Sequence, residues 1–201
     1  MTCIIVLGCH RSGTSAVAGV LHHLGVNMGQ NLLGPSDGNP KGHYEDKVLL
    51  DLLDKAIGDW KKPTPDFEQV RFRYSEAIRE REKQMLWGMK DPRLCYFLPD
   101  VLDTIHCQVK VVDVQRSTTC VVASLMERDG MSEQEAHDLA LEWLAAKKRA
   151  LGRFVGQVHE VHYDDLVDHP QWEVERLAAF VGLPVNEQAL AFVDPTLRHH
   201  A

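Results

Sequence analysis

The 201-residue chain has no apolar run reaching the ~18 residues that a membrane helix needs, so no membrane span is expected. Its first residues, MTCIIVLGCHRSGTS, lack the basic stretch and the small-residue cleavage site of a secretory signal. Cysteine is scarce. Cys3, Cys9, Cys95, Cys107 and Cys120 are odd in number, and no two form a CxxC pair. That excludes a disulfide scaffold and a zinc ribbon, and predicts reduced, mostly buried thiols in a cytoplasmic protein. Positive charge is also short: 22 basic side chains face 29 acidic ones, for a formal net charge of −7. A nucleic-acid partner held by bulk electrostatics is therefore excluded, and any bound anion must be gripped by a local cluster. Histidine is plentiful, at eleven, but no pair has convincing ligand spacing. No metal is expected, and His22-His23 and His159/His162 read as packing or surface residues.

What is present fits a folded protein. Hydrophobic residues make up 44% and charged residues 25%, a balance that excludes a disordered chain. At ~150 residues per domain, the length allows one domain, 1–201, with a core of its own.

Residues 2–7, TCIIVL, read as a strand buried on both faces. Ala16, Val17, Val20, Leu21 and Leu24 then recur at helical spacing, with Gly25 as the terminating C′ residue. Residues 26–44 hold four glycines and two prolines without a sustained period, so they read as a loop that serves as substrate loop or lid. Helices follow over 48–57 and, more charged and outward-facing, over about 66–86. LWGMK at 86–90 reads as a strand, with Asp91 and Pro92 as N-cap and first residue of the next helix. A strand over 109–114 precedes a helix over about 118–128. Ser132 and Glu135 form a capping box that opens a long helix reaching Phe154. QVHEVH at 157–162 is the last strand, and a helix over 172–181 ends at Gly182. Strands alternate with helices throughout. The fold class is α/β, a single domain with a parallel sheet of four to five strands and helices on both faces.

Two segments carry chemistry. Gly8-Cys9-His10-Arg11-Ser12-Gly13-Thr14-Ser15 lies between a buried strand and a helix, where a phosphate-binding loop must lie. Glycines let backbone N–H groups curl inward at an anion, and the helix adds its positive end. The G-x-x-x-x-G frame matches a nucleoside-triphosphate loop, but Thr14 stands where that loop needs lysine. Arg11 is the only cation within it. The second segment is the strand Val109-Lys-Val-Val-Asp-Val-Gln-Arg116, with Ser124 eight residues beyond the arginine. Ligands of open α/β sheets gather at the carboxyl ends of strands, so Arg116 faces the same crevice as the loop and holds a second anion with Ser124.

Two anion sites on one crevice call for a nucleotide with two separate anionic ends. With these residues the chain resembles the sulfotransferases that use 3′-phosphoadenylyl sulfate (PAPS), above all bacterial members whose loop reads H/P-R-S-G-T-S/T. The resemblance runs from about residue 3 to residue 184. It includes Tyr163-Asp-Asp-Leu-Val, then Pro170, then Leu177-Ala-Ala-Phe-Val-Gly-Leu-Pro184. It departs at Arg116-Ser117-Thr118, where the family often has R-x-P. It implies a P-loop-NTPase-like sheet and a 5′-phosphosulfate held by Arg11, Ser12, Gly13, Thr14 and Ser15. It implies a 3′-phosphate held by Arg116 and Ser124, and Tyr163 near the adenine. The stretch Asn39-Pro-Lys-Gly-His-Tyr-Glu-Asp46 resembles a family segment whose Glu is a catalytic carboxylate, so Glu45 is the first choice of base and His43 the second. Met89-Lys90-Asp91-Pro92-Arg93 resembles a K-D-P-R segment that implies contact of Lys90 with the transferring group. The implied reaction is metal-independent sulfuryl transfer to a hydroxyl or amine on a small molecule, glycan or peptide, with Arg11 stabilising the leaving oxygen.

Two other readings stay open on the sequence. A kinase-like phosphotransferase with a degenerate loop would use Asp113, on its apolar strand, for Mg²⁺. A non-catalytic protein would bind the nucleotide and transfer nothing.

Overall fold

Thr2–Leu7 forms β1, an inner strand of a four-stranded parallel sheet. In the computed structural model, which describes residues 1–37 and 39–197, β1 lies between β2 (Leu86–Lys90) and β3 (Gln108–Gln115). Strand β4 (Gln157–His162) pairs with β3 and completes the order β2-β1-β3-β4. Every pairing is parallel. The apolar run of β1 follows from its place: residues Cys3 to Leu7 have no exposed surface, because helices cover both faces. On β4 only Val161 is fully buried, as suits an edge strand.

The alternation of β1 divides the molecule into two cores. Cys3, Ile5 and Leu7 face α2 (Lys47–Ile57), α3 (Arg71–Arg81), α4 (Leu94–Leu102), α5 (Thr118–Asp129) and α6 (Glu133–Leu151). Ile4 and Val6 face α1 (Thr14–Leu24), α7 (Tyr163–Asp168), α8 (Pro170–Val181) and α9 (Glu187–Phe192). The fold is thus the expected α/β sheet with helices on both faces, and it has four strands among the described residues. No helix among those residues is long and apolar enough to cross a membrane.

Several boundaries differ from the sequence reading for local reasons. The charged helix is shorter than 66–86. Phe67 turns into the core and its carbonyl accepts the N–H groups of Val70 and Arg71, so α3 starts at Arg71. It stops at Arg81, whose guanidinium reaches Asp46 at 2.5 Å, and Glu82 accepts the His106 backbone N–H. Asp91 and Pro92 lie in a tight turn of i→i+3 bonds just before α4, instead of being its N-cap and first residue. The Ser132/Glu135 capping box forms as expected. The short helices α7 and α9 leave no helical signature in the sequence. They have too few turns to show a period.

Chain order makes the crevice. The chain leaves β1 toward β2 on one side, and leaves β3 toward β4 on the other. The carboxyl ends of β1 and β3 are adjacent, with Leu7 in register with Asp113. This is the switch point at which open α/β sheets take ligands.

Candidate active site

The turn after β1 is held in an unusual shape. Arg11 and Gly13 both have left-handed backbones, at φ +63° and +88°. Gly13 adopts this freely, and a Cβ there would fall 2.1 Å from the Tyr163 ring. Arg11 does so only at a cost in strain, and two bonds hold it. Its Nε–H donates to Ser124 Oγ at 2.7 Å, and its carbonyl accepts from Arg116 Nη1 at 3.1 Å. Ser12 faces inward: it is 4% exposed, and its hydroxyl donates to the Cys9 carbonyl at 2.7 Å. Helix α1 begins at Thr14, with no side-chain cap and no acidic residue in its first turn. Its first N–H groups lack intrahelical partners and its dipole adds positive charge, which suits an anion.

Strands β3 and β4 close the far side. Arg116 follows β3, and its guanidinium lies 4.7 Å from the centre of the Tyr163 ring, which opens α7 beyond β4. Ser124 is buried in α5, with its oxygen turned to Arg11. Burial, then the neighbouring Arg128 and Arg116 guanidinium groups, lowers the Arg11 pKa.

The near side is built from β2 and the long loop. Lys90 ends β2, and its ammonium meets Glu45 Oε1 at 2.5 Å, with both side chains largely buried. Asp91 accepts from the Arg93 backbone N–H at 2.8 Å and from Arg93 Nη1 at 3.1 Å. Burial pushes the Asp91 carboxyl up to about 6, against the pull of Arg93 and with a further rise from Glu45. Arg93 also bonds Asp54 at 2.5 Å, so this pair ties the turn between β2 and α4 to α2. His43 Nε2 lies 2.9 Å from Ser36 Oγ. Burial lowers the His43 pKa, against an opposing pull from Glu45, which favours the neutral imidazole.

Arg11, Gly13, Thr14, Ser15, His43, Glu45, Lys90, Arg116 and Tyr163 all line one crevice. Ser12 and Ser124 stand behind it and fix the shape of its wall. Five cations reach the crevice in a chain of net charge −7: Arg11, Lys41, Lys90, Arg116 and Arg128. Among the described residues, no group of three or more His, Cys, Asp or Glu side chains could hold a metal. His22 and His23 pack on Tyr44 and Phe192, and His159 stacks on Phe180.

Comparison with known proteins supplies a family and a fold. The model of the sulfotransferase family matches residues 3–187. The chain belongs to that family. Its fold is similar to the sulfotransferase domain of the Synechococcus PCC 7002 olefin synthase, with a TM-score of 0.64 at 20% identity. That match covers 98% of this chain and 86% of the other. It is also similar to sulfotransferase STF1 of Mycobacterium tuberculosis H37Rv, with a TM-score of 0.62 at 17% identity over 94% and 70% of the two chains. The sulfotransferase domain from the curacin biosynthetic pathway gives 0.56 at 18% identity, over 98% and 80%. No curated protein matches the chain by sequence.

This member of the family also lines its crevice with residues to which the sequence motifs assign no role. Arg128 lies one turn beyond Ser124 on α5, where helical spacing could have found it. Lys41 was in view within the N-P-K-G stretch. Phe192, Val193 and Asp194 carried no signal. They reach the crevice because α9 packs on α1, where the ring of Phe192 lies against Gly19. Lys41 then joins loop to C-terminal segment, donating to the Phe192 carbonyl at 2.5 Å and pairing with Asp194 at 3.5 Å.

Asp113 is engaged elsewhere. It is 2% exposed, its carboxylate accepts from Lys147 at 2.7 Å and from Gln115 at 2.8 Å, and it does not line the crevice. Burial raises its pKa while Lys147 opposes the rise.

Proposed function

We propose that this chain moves the sulfuryl group of PAPS to a hydroxyl or amine acceptor, without a metal, in the cytoplasm. The carrying observation is the convergence of Arg11, Arg116 and the uncapped start of α1 on one crevice of the sulfotransferase fold. The donor set suits a nucleotide with anions at both ends. Arg11 and the first N–H groups of α1 hold the 5′-phosphosulfate, with Thr14 and Ser15 beside them. Arg116, braced on Tyr163, holds the 3′-phosphate, and Ser124 supports it through Arg11. PAPS, when bound, supplies an activated sulfuryl group whose departure leaves charge on a phosphate oxygen. Arg11 and the helix start are aimed at that charge before the reaction begins.

Glu45 and Lys90 supply the remaining roles. Lys90 holds Glu45 Oε1 and faces the same crevice. Glu45 accepts the acceptor's proton on Oε2, and His43 is the second candidate for that proton. The five free cysteines fit a reducing compartment. The acceptor is a small molecule, glycan or peptide, and the acidic chain as a whole does not favour nucleic acid.

A phosphotransferase would need Asp113 for Mg²⁺, and Lys147 already neutralises it away from the crevice. Titration with adenosine 3′,5′-bisphosphate against ATP tests the nucleotide choice. Transfer from labelled PAPS to pooled acceptors tests catalysis. Tight ATP binding with no preference for the bisphosphate would overturn the reading, and bisphosphate binding with no transfer to any pool would reduce it to a nucleotide-binding protein.

A further inference from the structure

The buried stripe of α6 runs through Ala136, Leu139, Ala140, Trp143, Ala146 and Ala150, and one charged residue stands within it: Lys147, 3% exposed. Its ammonium donates to Asp113 Oδ1 at 2.7 Å and to the Val114 carbonyl at 3.1 Å, both on β3. The other Asp113 oxygen accepts from Gln115 at 2.8 Å. Gln115 ends the strand and Arg116 follows it. The Val114 carbonyl also abuts the anion loop, since a Cβ on Gly8 would stand 3.2 Å from its oxygen. Burying two charges costs about as much as their pairing returns, and an apolar pair of the same volume often holds a core as well or better. Stability alone does not account for a lysine at this position.

We propose that Lys147 is a positioning residue for recognition of the 3′-phosphate: it fixes the end of β3 from behind, and with it the direction in which Arg116 leaves the strand. The inference rests on the donor reading above. Lys147 acts without touching the nucleotide. Neither it nor Asp113 lines the crevice. Lys147 lines a separate cavity of about 30 Å³ with Cys9, Ser12, Gln115 and Arg116, far below the ~300 Å³ at which ligand pockets begin. Arg116 borders both spaces, so it is the residue through which the ammonium reaches the site.

Without the ammonium, the Val114 carbonyl loses a donor and Asp113 is left as a lone buried carboxylate, so the strand end shifts to relieve both. Arg116 shifts with it. Its bond to the Arg11 carbonyl at 3.1 Å and its seat 4.7 Å from the centre of the Tyr163 ring both depend on where β3 stops. Hydrogen bonds weaken steeply with misalignment, so the grip on the 3′-phosphate is the property that suffers. A nucleotide without that phosphate is spared.

The test titrates adenosine 3′,5′-bisphosphate and AMP calorimetrically into the whole chain, as parent, Lys147→Met, Arg116→Ala and the two substitutions combined, with melting temperatures alongside. Lys147→Met is expected to lower the ratio of bisphosphate to AMP affinity roughly three- to tenfold, the scale of one weakened hydrogen bond, with AMP affinity nearly unchanged. In the Arg116→Ala background it is expected to add nothing further, because both substitutions remove the same grip. A lower melting temperature with an unchanged ratio overturns the proposal and leaves Lys147 a core residue. So does an equal further fall of the ratio in the Arg116→Ala background, which makes the effect independent of Arg116. Should Lys147→Met fail to fold, Lys147→Met with Asp113→Asn removes both charges together and is judged by the same two criteria. A parent with no preference for the bisphosphate overturns the donor reading itself, and the positioning role with it.

Discussion

Arg11 donates its Nε–H to Ser124 Oγ at 2.7 Å, across 113 positions of sequence. The same residue's carbonyl accepts from Arg116. The loop after β1 and the strand-end arginine of β3 are therefore joined by side-chain bonds.

Nucleotide choice follows from those bonds. Arg116→Ala removes both the hand on the 3′-phosphate and a brace of Arg11. The expected loss is about 1.5–3 kcal/mol, or tenfold and more, for adenosine 3′,5′-bisphosphate, and much less for AMP. Equal losses for both ligands by calorimetry would remove Arg116 from the 3′-phosphate site.

Catalysis should separate from binding at Glu45. Glu45→Gln keeps the size of the side chain and bisphosphate affinity, and is expected to cut turnover by about 10²–10⁴-fold. His43→Ala is the paired variant, because the two residues compete for one role. A Glu45→Gln protein that keeps its turnover but melts at a lower temperature would leave Glu45 only as the buried partner of Lys90.

The long loop is expected to divide on hydrogen exchange. Val26 is buried and its N–H donates to the Leu21 carbonyl at 3.0 Å, while the Asn27 N–H donates to the Leu86 carbonyl at 3.4 Å, so 26–27 should be protected in any state. Residues 34–43 should exchange quickly in the free protein and slowly with bisphosphate bound, since closure excludes water as a competing acceptor. Lys41→Ala, which cuts the tie to Phe192 and Asp194, should speed exchange over 34–43 alone. Full protection of that stretch in the free protein would contradict a lid.

Acid should weaken the fold through His10. Its ring lies between Trp60 and Trp143, at 4.8 and 4.4 Å. Burial, then Arg93 and Arg128, holds its pKa well below the usual value. The unfolded chain therefore takes up this proton first. The contribution is fully present above about pH 6.5 and declines as pH falls below it, by at most about 1.4 kcal/mol per pH unit. Urea midpoints between pH 5 and 7.5 should show this slope, and His10→Leu should flatten it. An unchanged slope in the variant would assign the effect to other histidines.

The sequence alone determined the α/β class, because an apolar run, glycine turn and amphipathic helix are local patterns that the backbone must obey. It also marked both anion segments, since Gly13 at φ +88° and Arg116 at a strand end are set by residue type and strand position. The tertiary structure decided who meets whom. Lys90 with Glu45, Asp113 with Lys147, and Lys41 with Phe192 are partners 45, 34 and 151 positions apart. Such pairs leave no periodic trace, because they depend on strand order and on how α6 and α9 pack. Asp113 shows the consequence: the same aspartate at a strand end reads as a metal ligand until the buried ammonium of α6 is seen to neutralise it.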